Sequence, residues 1–93
     1  MTDSIQHDTS GQQFLVIVDG ARCVLDYRLH GTVMTITHTG VPEAVGGRGI
    51  AANLMKTAFE HARSRGWTVV PACSYAAVFV QRHPEYSDLI HKD

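Results

Sequence analysis

Hydrophobic and polar residues alternate in the first half of the chain, and the alternation predicts three β-strands. Residues 14–18 form a short β-branched run that ends at an Asp-Gly pair, a dipeptide typical of hairpin turns. In the next stretch every second residue is apolar: Cys23, Leu25, Tyr27 and Leu29. A third strand is predicted over residues 33–39, with Met34, Ile36 and His38 on one face. Short turns between the three strands indicate an antiparallel meander.

After residue 50 the apolar positions change to a helical period. Spacings of three and four residues predict a helix with one apolar face: Ala51, Leu54, Met55, Ala58, Phe59 and Ala62. Gly66 is the expected end of this helix. Residues 67–73 are predicted to form a fourth strand, in which Pro71 implies an edge or a splay from the neighbouring strand. A second helix is predicted over residues 75–82, so the order is β-β-β-α-β-α.

The first residues of the chain show no such period. Residues 1–12 are polar and aperiodic, and we expect a flexible tail there, followed by a single domain over residues 13–93. The order of elements predicts an α+β fold, an α/β sandwich with a mostly antiparallel sheet.

Composition narrows the class of protein. With 44% hydrophobic and 18% charged residues, the sequence is typical of a globular domain with one modest core. A net charge of −1 gives no electrostatic footprint for nucleic acid or a membrane, and no apolar run is long enough to span a bilayer. Two cysteines and no secretory signal favour a cytoplasmic protein with reduced thiols. The six histidines lack metal-ligand spacing, so we expect no metal site.

A glycine-rich segment lies between the third strand and the first helix. Gly46, Gly47 and Gly49 place backbone N–H groups at a helix N-terminus, which favours an anion such as a pyrophosphate. The segment is neither a P-loop, because no Gly-Lys-Ser/Thr follows, nor a dinucleotide fingerprint, because the glycine spacing differs. Taken alone, it is equally compatible with a tight strand-to-helix turn.

Four segments, taken together, resemble the short single-domain branch of the GNAT acetyltransferases, the YjdJ-like or N-acetyltransferase-domain proteins. They are His38-Thr39-Gly40-Val41-Pro42, Gly46-Gly47-Arg48-Gly49-Ile50-Ala51, Val70-Pro71-Ala72-Cys73-Ser74-Tyr75 and Arg82-His83-Pro84-Glu85-Tyr86. The resemblance runs from about residue 14 to residue 90. It implies a minimal GNAT fold, in which two parallel strands splay apart to admit the cofactor arm, and acetyl-CoA as the cosubstrate.

The resemblance also implies which residues bind the cosubstrate. The loop residues Gly46, Gly47, Arg48, Gly49, Ile50 and Ala51 would hold the pyrophosphate, and the backbone of Val41 would meet the pantetheine arm. Gly46 departs from the family, which usually has Arg or Gln there. Because backbone N–H groups hold most of the pyrophosphate, we expect weaker rather than abolished binding, and Arg48 is a candidate for part of the missing charge.

For catalysis, the resemblance implies Cys73 near the acetyl group, as a nucleophile or a proton carrier, with His38 as its partner. From the residues alone, Cys73 is equally well an inert thiol and His38 a hydrogen-bonded residue at a strand end. We expect an N-acetyltransferase acting on an unidentified amine. The alternatives are a CoA-binding module with little or no turnover and, less favoured, a protein-interaction domain. We expect a monomer or weak homodimer without nucleic-acid or membrane partners.

Overall fold

The computed structural model of the chain describes residues 4–92. Within them, five strands and two α-helices follow one another with two short 3-10 helices. The elements are β1 (Gln6–Asp8), β2 (Gln13–Val18), β3 (Ala21–His30), β4 (Val33–Gly40), a 3-10 helix (Glu43–Val45), α1 (Ile50–Arg65), β5 (Thr68–Pro71), α2 (Ser74–Arg82) and a second 3-10 helix (Pro84–Leu89). None of the helices in this part of the chain is long and apolar enough to cross a membrane.

The strands form one sheet in the order β1-β2-β3-β4-β5. The first three pairings are antiparallel, and β4 and β5 are parallel because α1 carries the chain back between them. The parallel pairing runs from Val33 opposite Thr68 to Ile36 opposite Pro71. The predicted α+β fold with a mostly antiparallel sheet is therefore confirmed.

The core lies between the sheet and the apolar face of α1. The alternating residues of β2, β3 and β4 that face α1 are buried: Phe14, Val16, Val18, Cys23, Leu25, Tyr27, Met34 and Ile36. From α1, the predicted stripe is buried from Leu54 to Ala62, and α2 adds Ala76 and Phe79. Both cysteines are free thiols, Cys23 buried and Cys73 partly exposed.

β1 corrects the prediction of a flexible tail for part of residues 1–12. Gln6–Asp8 pairs with β2, and the His7 ring stacks on Phe14 with 4.1 Å between ring centroids. The strand is polar and short, so it carries no alternation of hydrophobic residues, and it is held by this stacking and the pairing. Residues 1–3, part of the same predicted tail, lie outside the described residues.

β4 contains an irregularity that also corrects a prediction. Asp26 pairs with His38 and Tyr27 pairs with Ile36, so Thr37 has no partner on β3. This extra residue is a β-bulge, which shifts the alternation of faces. Met34 and Ile36 are buried as predicted, but His38 is exposed and does not continue their face.

Candidate functional site

The glycine-rich segment connects β4 to α1 and is built around a single 3-10 turn. The N–H of Gly46 closes this turn on the carbonyl of Glu43, at 3.1 Å, and Val45 is buried beneath it. A Cβ atom on Gly46 would lie 3.3 Å from that carbonyl oxygen, which is tighter than ordinary contact. The turn therefore gives a physical reason why glycine, and not a long side chain, occupies this position.

The N-terminus of α1 presents unpaired backbone donors. Gly49 is the N-cap residue with φ of 76°, in the left-handed region, and no side chain caps the helix. Its carbonyl accepts the first helical hydrogen bond, from Asn53 N–H at 3.0 Å. Within residues 4–92, the N–H groups of residues 47–52 donate to no acceptor. The first turn of α1 also contains no acidic residue. These donors, together with the helix dipole, favour an anion at this end.

The side chains of the loop have different environments. Arg48 donates a hydrogen bond from Nη1 to Asp19 Oδ2 at 2.6 Å and so forms an ion pair with the turn between β2 and β3. Ile50 is buried in the core, and Ala51 is partly buried. Ile50 therefore offers an N–H group rather than a side chain to this surface. Sequence reasoning did not find Asp19 as the partner of Arg48, because only a turn signal marked that residue.

An opening lies beside the loop, where β4 and β5 separate. β5 ends at Pro71, and the N–H groups of Ala72 and Cys73 both donate to the carbonyl of Ile36, at 3.1 Å each. Beyond Ile36, β4 continues to Gly40 and pairs with β3 alone among the described strands. Val41 follows β4 directly and packs against the core. Among residues 4–92, the backbone of β4 beyond Ile36 therefore has no strand partner on the side of β5.

Cys73 is at the N-terminus of α2, next to this opening. It is the N-cap residue, and its Sγ accepts a hydrogen bond from the Ala76 N–H at 3.3 Å. Its carbonyl accepts from Ala77 N–H at 3.1 Å. This position, partly exposed and at a helix start, differs from that of a core thiol such as Cys23, whose pKa is raised by burial.

His38 lies on β4 two residues after Ile36, the residue that binds the backbone of Cys73. The structure therefore brings the two candidate residues to the same end of β4. It does not join them, since no hydrogen bond links the imidazole to the thiol in the described part of the chain. The ring instead lies beside Gly40 of its own strand, where a Cβ atom on Gly40 would be 3.1 Å from His38 Nε2.

No group of three or more His, Cys, Asp or Glu side chains among residues 4–92 is placed to hold a metal ion. The arrangement is instead suited to a phosphorylated ligand, because backbone donors lie at the start of α1, β4 extends beyond its pairing with β5, and a thiol lies at the start of α2.

Comparisons with known proteins show which proteins this chain is similar to. The chain is 35% identical over 83 residues to the cattle protein NATD1, a match that covers 86% of this chain and 74% of that protein. The zebrafish NATD1 is 33% identical over 91 residues, with 92% of this chain and 83% of that protein covered. Among solved structures, a GCN5-like candidate N-acetyltransferase from Staphylococcus aureus aligns with a TM-score of 0.76 and 27% identity, over 97% of this chain and 89% of that one.

The family comparison covers most of the described chain. The model of the GCN5-related N-acetyltransferases matches residues 13–89, from the start of β2 to the end of the last 3-10 helix. The match therefore includes the glycine-rich loop, both candidate catalytic residues and the opening between β4 and β5. The resemblance predicted from four sequence segments is confirmed: this chain belongs to the GCN5-related N-acetyltransferase family.

Proposed function

We propose that this protein binds acetyl-CoA between the glycine-rich loop and the opening beside β4, and transfers the acetyl group to an amine. The observation that carries the proposal is the run of unpaired N–H groups over residues 47–52 at the start of α1. A diphosphate has several anionic oxygens, and backbone donors at a helix N-terminus are suited to binding them. Family membership supports the choice of acetyl-CoA among phosphorylated ligands.

Arg48 is the side chain best placed to add to this binding. It lies within the loop, and it is now neutralised by Asp19 in an ion pair that is about half exposed. Exposed pairs of this kind contribute little, about 0–1 kcal/mol, so a phosphate can compete for the guanidinium. In this proposal Arg48 supplies charge that Gly46 cannot, at the expense of its contact with Asp19.

The opening between the strands would hold the rest of the cosubstrate. The pantetheine arm contains amide groups, which pair with backbone in the manner of a strand. β4 offers such a backbone from Thr37 to Gly40, with Val41 following it. An arm bound there would run from the start of α1 toward Cys73 at the start of α2.

Acetyl transfer requires that a nucleophile attack the carbonyl carbon while the C–S bond breaks. In the route through Cys73, its thiolate forms the new thioester bond and CoA leaves as a thiol after taking a proton. An amine then attacks the acetylated cysteine, forms the amide and loses its proton, and the cysteine is restored. The Sγ of Cys73 lies at the start of α2, where it accepts the Ala76 N–H at 3.3 Å. His38 is the nearby candidate for accepting the thiol proton of Cys73.

A second function is binding of CoA with little or no turnover. The separation of His38 from Cys73, which share no hydrogen bond within residues 4–92, favours this alternative, because neither residue activates the other in the present arrangement. Direct transfer from acetyl-CoA to the amine, without a covalent intermediate, is the third outcome of the same experiments.

Calorimetric titration tests whether the protein binds acetyl-CoA. We expect heat with acetyl-CoA and with CoA, and much weaker heat with ATP, which carries phosphates but lacks the pantetheine arm. Equal heats for acetyl-CoA and ATP, or none for either, would contradict the proposed cosubstrate. Release of CoA in the presence of an amine panel, measured by chromatography, then tests turnover and identifies the acceptor.

Intact-mass measurement tests the role of the thiol. After incubation with acetyl-CoA, the covalent route predicts one acetyl adduct that Cys73→Ala removes. Cys23→Ala is the matched control, because Cys23 is buried with a raised pKa and should not react. Turnover that survives in Cys73→Ala would show direct transfer, whereas binding without release of CoA would identify a binding module. A cytoplasmic location and a monomer or weak homodimer remain part of this proposal.

A further inference from the structure

A second cavity lies at the C-terminal end of α1, away from the glycine-rich loop. It has a volume of about 400 Å³, within the range of small-molecule sites. Its lining includes His7, Tyr27, Leu29, His61, Arg65 and Trp67, together with the polar residues at positions 9, 10 and 12. They come from β1, β3, the last turns of α1 and the segment before β5. β1 and the segment that follows it form one side of the cavity.

This cavity is distant from the acetyl-CoA site. His61 and Arg65 follow Ile50 by 11 and 15 residues along α1. At about 1.5 Å of rise per residue, they lie roughly 16–22 Å from the start of the helix. A ligand bound here would therefore be separate from the pyrophosphate at the other end, and the inference does not depend on the proposed transferase activity.

The charge in the cavity is unbalanced. Within residues 4–92, Arg65 forms no ion pair, unlike Arg48 and Arg63, which precede it in the chain. Burial, followed by the positive charge of His61 and Arg65, lowers the pKa of His7, and the negative charge of Asp8 opposes this. Burial, followed by Arg65, lowers the pKa of His61. Both rings are therefore predominantly neutral near pH 7. Among the described residues, no carboxylate pairs with the Arg65 guanidinium, although the negative charge of Asp8 acts on His7 and Tyr27.

Several lining residues of the cavity are aromatic rings that contact one another. His7 stacks on Phe14 and shares a hydrogen bond of 2.6 Å with the hydroxyl of Tyr27. The His61 ring meets His7 at a centroid distance of 4.5 Å and Trp67 at 5.2 Å, both edge to face. Such surfaces favour an aromatic guest, because aromatic rings pack well edge to face or offset.

We propose that this cavity binds a small aromatic carboxylate. The carboxylate pairs with the Arg65 guanidinium, whose planar donors match its two oxygens, and the ring lies against Trp67 and the imidazoles. A single negative charge balances the single unpaired cation. A doubly charged phosphate would leave excess negative charge near Asp8, whose own charge already acts on His7 and Tyr27, so the monoanion is favoured.

Trp67 provides a direct readout, since it is the chain's single tryptophan and it lines the cavity. The protein is titrated with benzoate and, as a neutral match, with benzamide, while tryptophan fluorescence is followed in buffer without competing anions. We expect a saturable change with benzoate and binding of benzamide at least about tenfold weaker, a difference of about 1.4 kcal/mol. No saturation with benzoate, or equal binding of the two compounds, would overturn the proposal.

Two variants test the role of charge. Arg65→Gln should weaken benzoate binding by about tenfold or more and leave benzamide binding unchanged. Lys56→Gln, which removes the same charge from an exposed position of the same helix outside the cavity, should bind benzoate normally. Circular dichroism of both variants checks that the fold is retained. Equal loss of affinity in both variants would show a general effect of net charge and refute a specific site.

Discussion

Replacing Gly49 by alanine should separate the loop geometry from the stability of α1. Gly49 and Gly66 flank this helix, with φ of 76° and 73°, and a Cβ atom at either would meet nothing within 4 Å. Each substitution therefore introduces backbone strain without a clash. A left-handed alanine costs about 1–2 kcal/mol, offset by about 0.4–1 kcal/mol from the stiffer unfolded chain. We expect a net loss of about 1 kcal/mol in both variants, which lowers the melting temperature by about 4–8 °C.

The two variants should differ in their affinity for acetyl-CoA. If Gly49→Ala relaxes toward negative φ, the N–H groups that follow it turn away from the anion. Loss of one hydrogen bond to a charged oxygen costs about 1.5–3 kcal/mol, which corresponds to an affinity about 10- to 150-fold weaker. Gly66→Ala lies at the other end of the helix and should bind normally.

Calorimetry and thermal unfolding on the same preparations make this comparison. The reasoning fails if Gly49→Ala is destabilised as expected but binds acetyl-CoA with unchanged affinity, because the loop then does not hold the pyrophosphate. It fails equally if Gly66→Ala loses as much affinity as Gly49→Ala, since the effect would then follow from helix stability alone.

Three further predictions concern the core and its ionisable groups. Phe59→Ala removes a fully buried ring and should lower the free energy of unfolding by about 3–5 kcal/mol in urea titrations, whereas a loss under about 1 kcal/mol would contradict the observed packing. Burial and a hydrogen bond to Glu60 raise the pKa of Tyr86 to about 12. Because Tyr86→Phe removes this hydrogen bond, it should lower the free energy of unfolding by about 1 kcal/mol in urea titrations near neutral pH. Because burial lowers the pKa of His7 and His61, the unfolded chain binds more protons, and stability should fall as the pH decreases below about 6.5. His61→Gln should flatten this dependence in urea titrations at several pH values, and an unchanged slope would refute the assignment.

The long periodic segments allowed much of the fold to be predicted from sequence. The alternation in β3 and the apolar stripe of α1 each extend over many residues, and the structure confirms both. Gly66 ends α1 in the left-handed region, as its position predicted. β1 was missed because a three-residue polar strand has no period, and Thr37 was missed because a bulge depends on cross-strand register.

The candidate sites were predictable to different degrees. The loop at the start of α1 is contiguous in sequence, so its backbone donors could be inferred from the glycines alone. The ion pair between Arg48 and Asp19 joins residues 29 positions apart and depends on where the β2–β3 turn lies. The cavity around Trp67 combines residues 7–29 with residues 61–67, and no local pattern indicates that His7 and His61 meet.

The two edges of the sheet affect how the protein behaves at high concentration. Long unpaired edge strands recruit other chains and promote aggregation. One edge here is the three-residue β1, and the other is β5, which ends at a proline. The outer side of β5 is partly covered by the end of the chain, where Ile90 bridges Val69 and the His91 N–H donates to the Val69 carbonyl at 2.8 Å. Residues 90 and 91 thus hinder pairing of this edge with other chains. A chain that ends before Ile90 should be less soluble while its ligand binding is unchanged.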